Sequence, residues 1–181
     1  MAGSEPTEVR NLDGYGAPEI PWSKVRDVLD AGISQGPGSG GPSRHTFWLS
    51  TVWPDGRPHA MPLGVLRVDD DFYFTAGPGT RKAKNLEQDP RCSLSVAAEP
   101  FDLVFEGEAV RVTDVPTVQR ISEQFAGLGW ETQVGADGPG LTGEFSAPSA
   151  GPPPWHVYRM TPATVFALGT AEPYGATRWQ L

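Results

Sequence analysis

A short segment with an unusual order of charges, TRKAKNLEQDP at 80–90, contains the residues best suited to binding chemistry. Thr80 is a good helix N-cap and Pro90 ends the helix, so three cations fall in the first turn and the acidic residues fall near its end. The helix dipole favours the opposite order, and each misplaced charge costs about 0.3–1 kcal/mol unless something compensates. An anion bound by backbone N–H groups, the Thr80 hydroxyl, Arg81 and Lys82 would remove the conflict. The charge order therefore predicts a phosphate site, with a solvated surface helix as the alternative.

The segments around this helix have the pattern of antiparallel strands. Strands at 45–52, 59–68 and 72–76 are separated only by short turns, the first carrying the turn pair Asp55-Gly56. Short connections predict an antiparallel meander, because parallel strands need long crossovers. With the later strands and two amphipathic helices, this predicts an α+β fold built on a small antiparallel Greek-key β-barrel with flanking helices. These further elements are strands at 92–98 and 101–112, a last strand or pair from 155 to 169, and helices at 22–33 and 115–130.

Composition excludes several classes of partner. The formal net charge of -8 argues against nucleic acid or an anionic membrane as the main partner. The single cysteine, Cys92, excludes an intrachain disulfide and a multi-cysteine metal site, and the three scattered histidines form no metal motif. Without a transmembrane-length apolar run or a secretory signal, we expect a cytoplasmic protein. We expect residues 1–20 to be a disordered tail and 21–181 to be one domain.

The pattern F-T-x(5)-R-K-A-x-N-L-x-x-D-P-R-x-S-L, from Phe74 to Leu94, resembles the pyridoxamine 5′-phosphate oxidase-like superfamily of flavin-binding split barrels. The resemblance runs from about 45 to 112, with looser support as far as 168. The ending ATRW at 176–179 is similar to that of actinobacterial members in the flavin and deazaflavin oxidoreductase subgroup. The resemblance implies a homodimeric split barrel with the cofactor in a groove between the subunits.

The resemblance also implies which residues bind the cofactor. It places the phosphate on Arg81 and Lys82, the pair that the charge order indicates independently. It places the cofactor ring along the second strand, 59–64, and beyond the end of the third strand, at Phe74 and Thr75. We add Trp179, because a large aromatic residue near a polar chain end needs a reason to be ordered, and docking against the partner subunit would supply one. The expected cofactor-binding residues are His59, Met61, Pro62, Leu63, Phe74, Thr75, Thr80, Arg81, Lys82, Asn85 and Trp179; no catalytic acid or base is evident.

The leading interpretation is a redox enzyme in which FMN or coenzyme F420 passes hydride to a small unsaturated or carbonyl-conjugated molecule. The composition and the chain ending favour the deazaflavin. True pyridoxamine phosphate oxidase activity is not expected, because the family's C-terminal Arg/His-containing substrate segment is missing. The alternative is a non-catalytic carrier of a flavin, a deazaflavin or haem. A third possibility, a dimerisation domain without cofactor, is disfavoured because Arg81 and Lys82 are retained.

Two Gly-rich segments and the remaining tryptophans complete the expectations. The stretch 135–154 is interpreted as a long loop whose Leu141 and Phe145, with Trp155 just beyond it, could lie over a flat ring. It would then border the substrate pocket; a tolerated surface insertion is the alternative. The run at 35–41 is interpreted as a linker, and Trp53 as a core or loop anchor rather than a site residue.

Overall fold

The structure is a computed structural model that describes residues 5–37 and 45–181. Within these ranges it contains three α-helices and eleven β-strands. The helices are α1 (Trp22–Asp30), α2 (Arg81–Gln88) and α3 (Val115–Gly127). The strands are β1 (Glu8–Asn11), β2 (Phe47–Val52), β3 (Pro58–Leu63), β4 (Leu66–Val68), β5 (Asp71–Ala76), β6 (Arg91–Ala98), β7 (Phe101–Arg111), β8 (Thr132–Val134), β9 (Leu141–Gly143), β10 (His156–Gly169) and β11 (Ala176–Gln180).

The strands pair antiparallel throughout, around the long strand β10. The main sheet runs β1-β11-β10-β7-β6-β2-β3, and β5 joins β10 as a branch that also carries β4. A register shift between Pro162 and Thr164 divides β10 into a half that pairs with β5 and a half that pairs with β11. Such a bulge bends a strand and lets it serve two parts of a barrel. The structure confirms the predicted α+β class and split-barrel architecture.

The expected three-strand meander is wrong in its second strand. The chain from 59 to 68 forms two strands, β3 and β4, which break at Gly64. A Cβ at Gly64 would lie 2.6 Å from the carbonyl oxygen of Gln35, so another stretch of backbone crosses closely there. The hairpins β2–β3 and β4–β5 are therefore separate, and β5 pairs with β10. Gln35, expected in a linker, pairs with Val65 instead, while the rest of that run from 38 lies outside the described residues.

The N-terminal segment differs from the expected disordered tail. Glu8–Asn11 is strand β1, which pairs with β11 in a register that sets Glu8 opposite Gln180. Its side chains are exposed, so it buries no apolar face that sequence patterning could reveal. The strand is held by backbone hydrogen bonds to the otherwise open edge of β11 and by the 2.7 Å ion pair between Glu8 and Arg178.

Two apolar cores support the sheet. The larger one fills the barrel and the space under α1. The smaller one lies where α3 and the β8–β9 hairpin pack on the outer side of β5 and β10, and it encloses Leu141 and Trp155. The segment 135–154 is therefore not free of regular structure, because β9 lies within it. None of the helices in the described ranges has the length and apolar character needed to cross a bilayer.

Candidate functional site

The N-terminus of α2 is built as its local sequence predicts. Thr80 has an extended backbone, and its hydroxyl oxygen accepts a hydrogen bond from the Ala83 N–H at 3.4 Å. The same hydroxyl donates to the carbonyl oxygen of Gly77 at 2.7 Å, which fixes the loop that leads into the helix. The first turn contains no acidic residue, so its positive end is not neutralised by the helix itself.

Lys82 is the most unusual residue of this helix. Only 6% of it is exposed, yet it forms no ion pair or hydrogen bond within the described chain. Burial lowers the pKa of its ammonium group below the ordinary 10.5, because a charge loses hydration there. A buried cation without a counterion is unfavourable unless an anion binds beside it.

Arg81, the neighbouring cation, lies against an aromatic ring. Its guanidinium carbon is 4.0 Å from the centre of the Trp53 indole, in the turn between β2 and β3. Arg57 of the same turn approaches that indole at 4.7 Å and is paired with Asp55 at 2.8 Å. Both distances suit cation–π contact.

A buried hydrogen bond joins α2 to β2. The Asn85 amide, 1% exposed, donates to the hydroxyl of Thr51 at 3.0 Å, and Thr51 is itself 2% exposed. The amide oxygen of Asn85 is enclosed and has no partner. The hydrogen-bonding capacity of this buried acceptor is therefore unsatisfied within the described chain.

His59, on β3, completes this cluster. Its ring meets the Trp53 ring edge-on with the centres 5.9 Å apart. Burial, followed by the positive charges of Lys82 and Arg81, lowers the pKa of His59. The imidazole is thus favoured in its neutral form beside two cations. The structure brings His59, Arg81, Lys82 and Asn85 together at one end of the barrel.

The remaining predicted residues of β3 continue from His59 along the strand. Met61 and Leu63 are half-buried on the same face as His59, whereas Pro62 is exposed on the other face. In the described chain β3 pairs only with β2, so Pro62 lies on an edge strand, as its missing N–H predicts.

Phe74 and Trp179 are not at the surface of this cluster. Phe74 is fully buried and stacks on Tyr158 with ring centres 5.5 Å apart, while Thr75 beside it is half-buried. Trp179 is fully buried in the larger core, 5.4 Å from the Trp22 ring. Its order is explained by packing within its own chain, so the expectation that it docks against a partner subunit near the cofactor is wrong.

A second polar group lies at the start of β10. The Tyr158 hydroxyl and the Nδ1 atom of His156 are enclosed without partners. Burial, followed by the charge of Glu87, raises the pKa of Tyr158 to about 12. Burial, followed by the charge of Arg111, lowers the pKa of His156. Of this group, His156 lines a cleft together with Arg111 and the turn at 135–140.

The segment 135–154 also reaches the entry to α2. A Cβ at Gly77 would overlap the carbonyl oxygen of Ala150, so the two backbones are in close contact. Of the apolar residues expected to lie over a ring, Leu141 and Trp155 are buried in the smaller core, whereas Phe145 is exposed. The segment therefore borders the loop that leads into α2, and two of the three apolar side chains expected over a ring, Leu141 and Trp155, pack in the core instead.

Two residues of this cluster, Thr51 and Trp53, were not identified from the sequence; Arg57 lies beside Trp53 in the same turn but pairs with Asp55 and is not part of the cluster. Trp53 had been interpreted as an anchor, since tryptophan in a turn usually packs for stability. The sequence WPDGRP did place an aromatic ring and an arginine on either side of a tight turn, but nothing local showed that this turn meets α2. Among the described residues no group of His, Cys, Asp and Glu is arranged to hold a metal ion.

Comparison with known proteins follows this geometry. Residues 42–169 match the family model described as pyridoxamine 5′-phosphate oxidase. The structure of the chain superposes on a pyridoxamine 5′-phosphate oxidase-related, FMN-binding protein from Nostoc punctiforme with a TM-score of 0.55 at 18% identity. The superposition covers 88% of this chain and 90% of that one. For PhzG from Burkholderia lata, solved with tetrahydrophenazine-1-carboxylic acid, the TM-score is 0.57 at 14% identity, with 92% and 89% covered.

A structure described as an F420 reductase gives a TM-score of 0.50 at 16% identity, covering 75% of this chain and 94% of that one. No curated protein sequence matches the chain. At these identities the solved structures establish the fold, and the family model spans more than two thirds of the sequence. The chain therefore belongs to the pyridoxamine 5′-phosphate oxidase family.

Proposed function

We propose that this protein is an oxidoreductase that binds FMN or coenzyme F420 and uses it to transfer hydride to a small organic acceptor. The observation that carries the proposal is Lys82, a buried cation with no counterion in the described chain, beside Arg81 at the positive end of α2. FMN and coenzyme F420 both carry a phosphate, which would neutralise this pair.

The residues around α2 fit a phosphate-bearing cofactor. Arg81 and Lys82 would bind the phosphate, with the N–H groups of the first helical turn as further donors. The unpartnered amide oxygen of Asn85 would accept a hydrogen bond from a hydroxyl or N–H group of the cofactor. The half-buried side chains of Met61 and Leu63 would support the ring along β3.

When bound, the cofactor supplies the hydride chemistry, and the protein orients the substrate and excludes water. His59 is favoured as a neutral imidazole, so beside the phosphate pair it can donate or accept a hydrogen bond without adding a third charge. We assign no catalytic acid or base. We further propose that two copies of the chain form a homodimer, because β3, along which the ring would lie, is an edge strand of the described sheet.

The test is a binding comparison between phosphate-bearing and phosphate-free ligands. Changing Arg81 and Lys82 together to Ala should weaken FMN or coenzyme F420 at least tenfold, which is about 1.4 kcal/mol. Riboflavin, which lacks the phosphate, should bind the variant and the parent equally. Lys84→Ala is the matched control, since Lys84 is an exposed cation of the same helix. Unchanged affinity for both phosphate-bearing cofactors in the double variant contradicts the site.

Catalysis is tested separately from binding. The reduced cofactor, bound to the parent protein, is mixed with a panel of small unsaturated and carbonyl-conjugated acceptors, and its reoxidation is followed by absorbance under anaerobic conditions. Turnover with at least one acceptor supports the oxidoreductase. Tight binding without turnover across the panel would favour the carrier function instead.

A further inference from the structure

We propose that Trp53 is a positioning residue of the phosphate site: its indole holds the Arg81 guanidinium in the orientation in which it meets the phosphate. This inference rests on the proposed function, because it concerns how the same site is organised. Trp53 itself is assigned no contact with the cofactor.

The first step is the contact that Arg81 makes. An arginine side chain is long and flexible, and it loses much rotamer freedom when it is held in place. Arg81 forms no ion pair with a carboxylate of the described chain. The Arg81 guanidinium carbon instead lies over the Trp53 ring, 4.0 Å from its centre. A stacked guanidinium keeps its N–H groups at the rim of the ring, where they remain available to an anion.

The second step is that the indole is fixed relative to α2. The backbone N–H of Trp53 donates to the Arg57 carbonyl oxygen at 2.8 Å, and the backbone N–H of Gly56 donates to the Trp53 carbonyl oxygen at 2.9 Å. These two hydrogen bonds close the turn that carries the indole. The ring is half-buried and His59 lies edge-on to it. β2, which leads into this turn, is tied to α2 through the buried Asn85–Thr51 hydrogen bond. The ring and the helix therefore hold one relative position.

Arg57 provides an internal comparison. It approaches the same indole at 4.7 Å, but its charge is already compensated by Asp55 and both of these residues are exposed. Arg81 has no such compensation and stands next to the buried Lys82. If the indole only stabilised the turn, replacing Arg57 or Arg81 would have the same effect on cofactor affinity. If it prepares the phosphate site, only Arg81 should matter for binding.

The experiment is a double-mutant cycle on Trp53 and Arg81, with dissociation constants measured for FMN and riboflavin by fluorescence quenching. We expect Trp53→Ala to weaken FMN about fivefold and Arg81→Ala to weaken it about tenfold or more. The double variant should bind FMN within about twofold of Arg81→Ala alone, because Trp53 acts through Arg81. Riboflavin affinity should be unchanged in all three. Where the protein prefers the deazaflavin, coenzyme F420 and its phosphate-free deazariboflavin core replace the flavin pair.

Two further variants keep the cycle decisive. Trp53→Phe retains a ring and should lose less affinity than Trp53→Ala, which covers the case in which the alanine variant folds poorly. Arg57→Ala should leave FMN affinity within about twofold of the parent. Additive losses in the double variant, an equal loss of riboflavin affinity, or a loss in Arg57→Ala as large as in Trp53→Ala would each overturn the role of Trp53. If Arg81→Ala together with Lys82→Ala leaves the affinity for both FMN and coenzyme F420 unchanged, the phosphate site on which the proposed function rests is wrong.

Discussion

Replacing Lys82 by Met asks whether the buried cation of α2 serves a ligand or the fold. Met keeps most of the aliphatic length of lysine and removes its charge. Lys82 is 6% exposed without a counterion in the described chain, so the free protein should become more stable. We expect a gain of about 1 kcal/mol, at the low end for a buried charge, because the ammonium group is not among the fully enclosed polar atoms. For a chain of this length, that raises Tm by about 2–4 °C.

Bound cofactor should reverse the difference in stability, so that the parent becomes more stable than Lys82→Met. At a concentration of about 100 times Kd, FMN or coenzyme F420 stabilises the parent by about 2.7 kcal/mol. Loss of one charge-assisted contact, at about 2 kcal/mol, weakens binding about thirtyfold. The same concentration is then only about three times Kd for Lys82→Met and adds about 0.9 kcal/mol. The variant is thus expected to be more stable than the parent without cofactor and less stable with it, by about 0.8 kcal/mol.

The assay is thermal unfolding followed by circular dichroism, with and without cofactor. Lys84→Met is the control, and both of its Tm values should stay close to those of the parent because Lys84 is exposed. A fall in Tm of several degrees for cofactor-free Lys82→Met would show that the lysine stabilises the fold. An equal shift with cofactor in variant and parent would show that Lys82 does not contact the phosphate. Either result refutes the reasoning.

The pH dependence supplies a second readout of the same variant. Burial lowers the pKa of Lys82 in the folded protein below 10.5, so the unfolded chain binds more protons between the lowered value and 10.5. Stability of the parent therefore rises with pH across that window. The penalty is complete at lower pH, and the advantage of Lys82→Met should shrink as the pH rises through the window. A constant difference from pH 7 to pH 11 would contradict the buried-charge explanation.

Three further expectations follow from the second polar group, the 135–154 segment and the open sheet edge. Because the Tyr158 hydroxyl has no partner in the described chain, Tyr158→Phe should raise the free energy of unfolding by about 1 kcal/mol at pH 7. The pKa raised from 10.0 to about 12 makes the parent lose about 2–3 kcal/mol of stability between pH 10 and 12, and the variant should not show this loss. Urea midpoints at pH 7 and between pH 10 and 12 check both effects, and an unchanged midpoint at pH 7 would mean that a water satisfies the hydroxyl. Gly77→Ala should lower stability by more than about 1 kcal/mol in the same assay, since its Cβ would overlap the Ala150 carbonyl oxygen, and parental stability would mean that the segment moves away easily. The proposed homodimer predicts a dimer mass by light scattering at micromolar concentration, which a monomer would contradict.

Local sequence was enough to predict helix α2. Thr80 and Pro90 bound α2 within one residue of the prediction, because capping and chain termination depend on neighbours in sequence. The order of charges within the helix indicated an anion site before any fold was known. Asp55-Gly56 likewise placed the β2–β3 turn correctly. These features depend on a few consecutive residues, which a single sequence contains in full.

Features that depend on distant contacts were predicted poorly. The break at Gly64 results from backbone near 35–36, about thirty residues earlier, and the partner of β5 is β10, about eighty residues later. The polar chain end around Trp179 suggested docking against a partner subunit, yet the ring is buried in its own chain and contacts Trp22. Strand β1 has four exposed side chains, so no apolar pattern marks it. In each case the deciding partner is remote in sequence, and burial pattern alone does not identify it.

Several departures from ordinary folding rules lie on or near α2. Of the six residues whose buried polar atoms have no partner in the described chain, Asn85 lies on α2, and His156 and Tyr158 are within electrostatic reach of its Glu87. The others, Gln35, Arg178 and Trp179, lie elsewhere in the fold. Lys82 also lies on α2, and it is a buried charge in a helix whose order of charges already opposes the helix dipole. Proteins keep such unfavourable arrangements mainly where a ligand or a reaction repays them. The Trp53 turn contacts this helix at Arg81, and the Ala150 backbone contacts Gly77 in the loop that leads into it, so two distant segments of the chain meet at the N-terminus of α2.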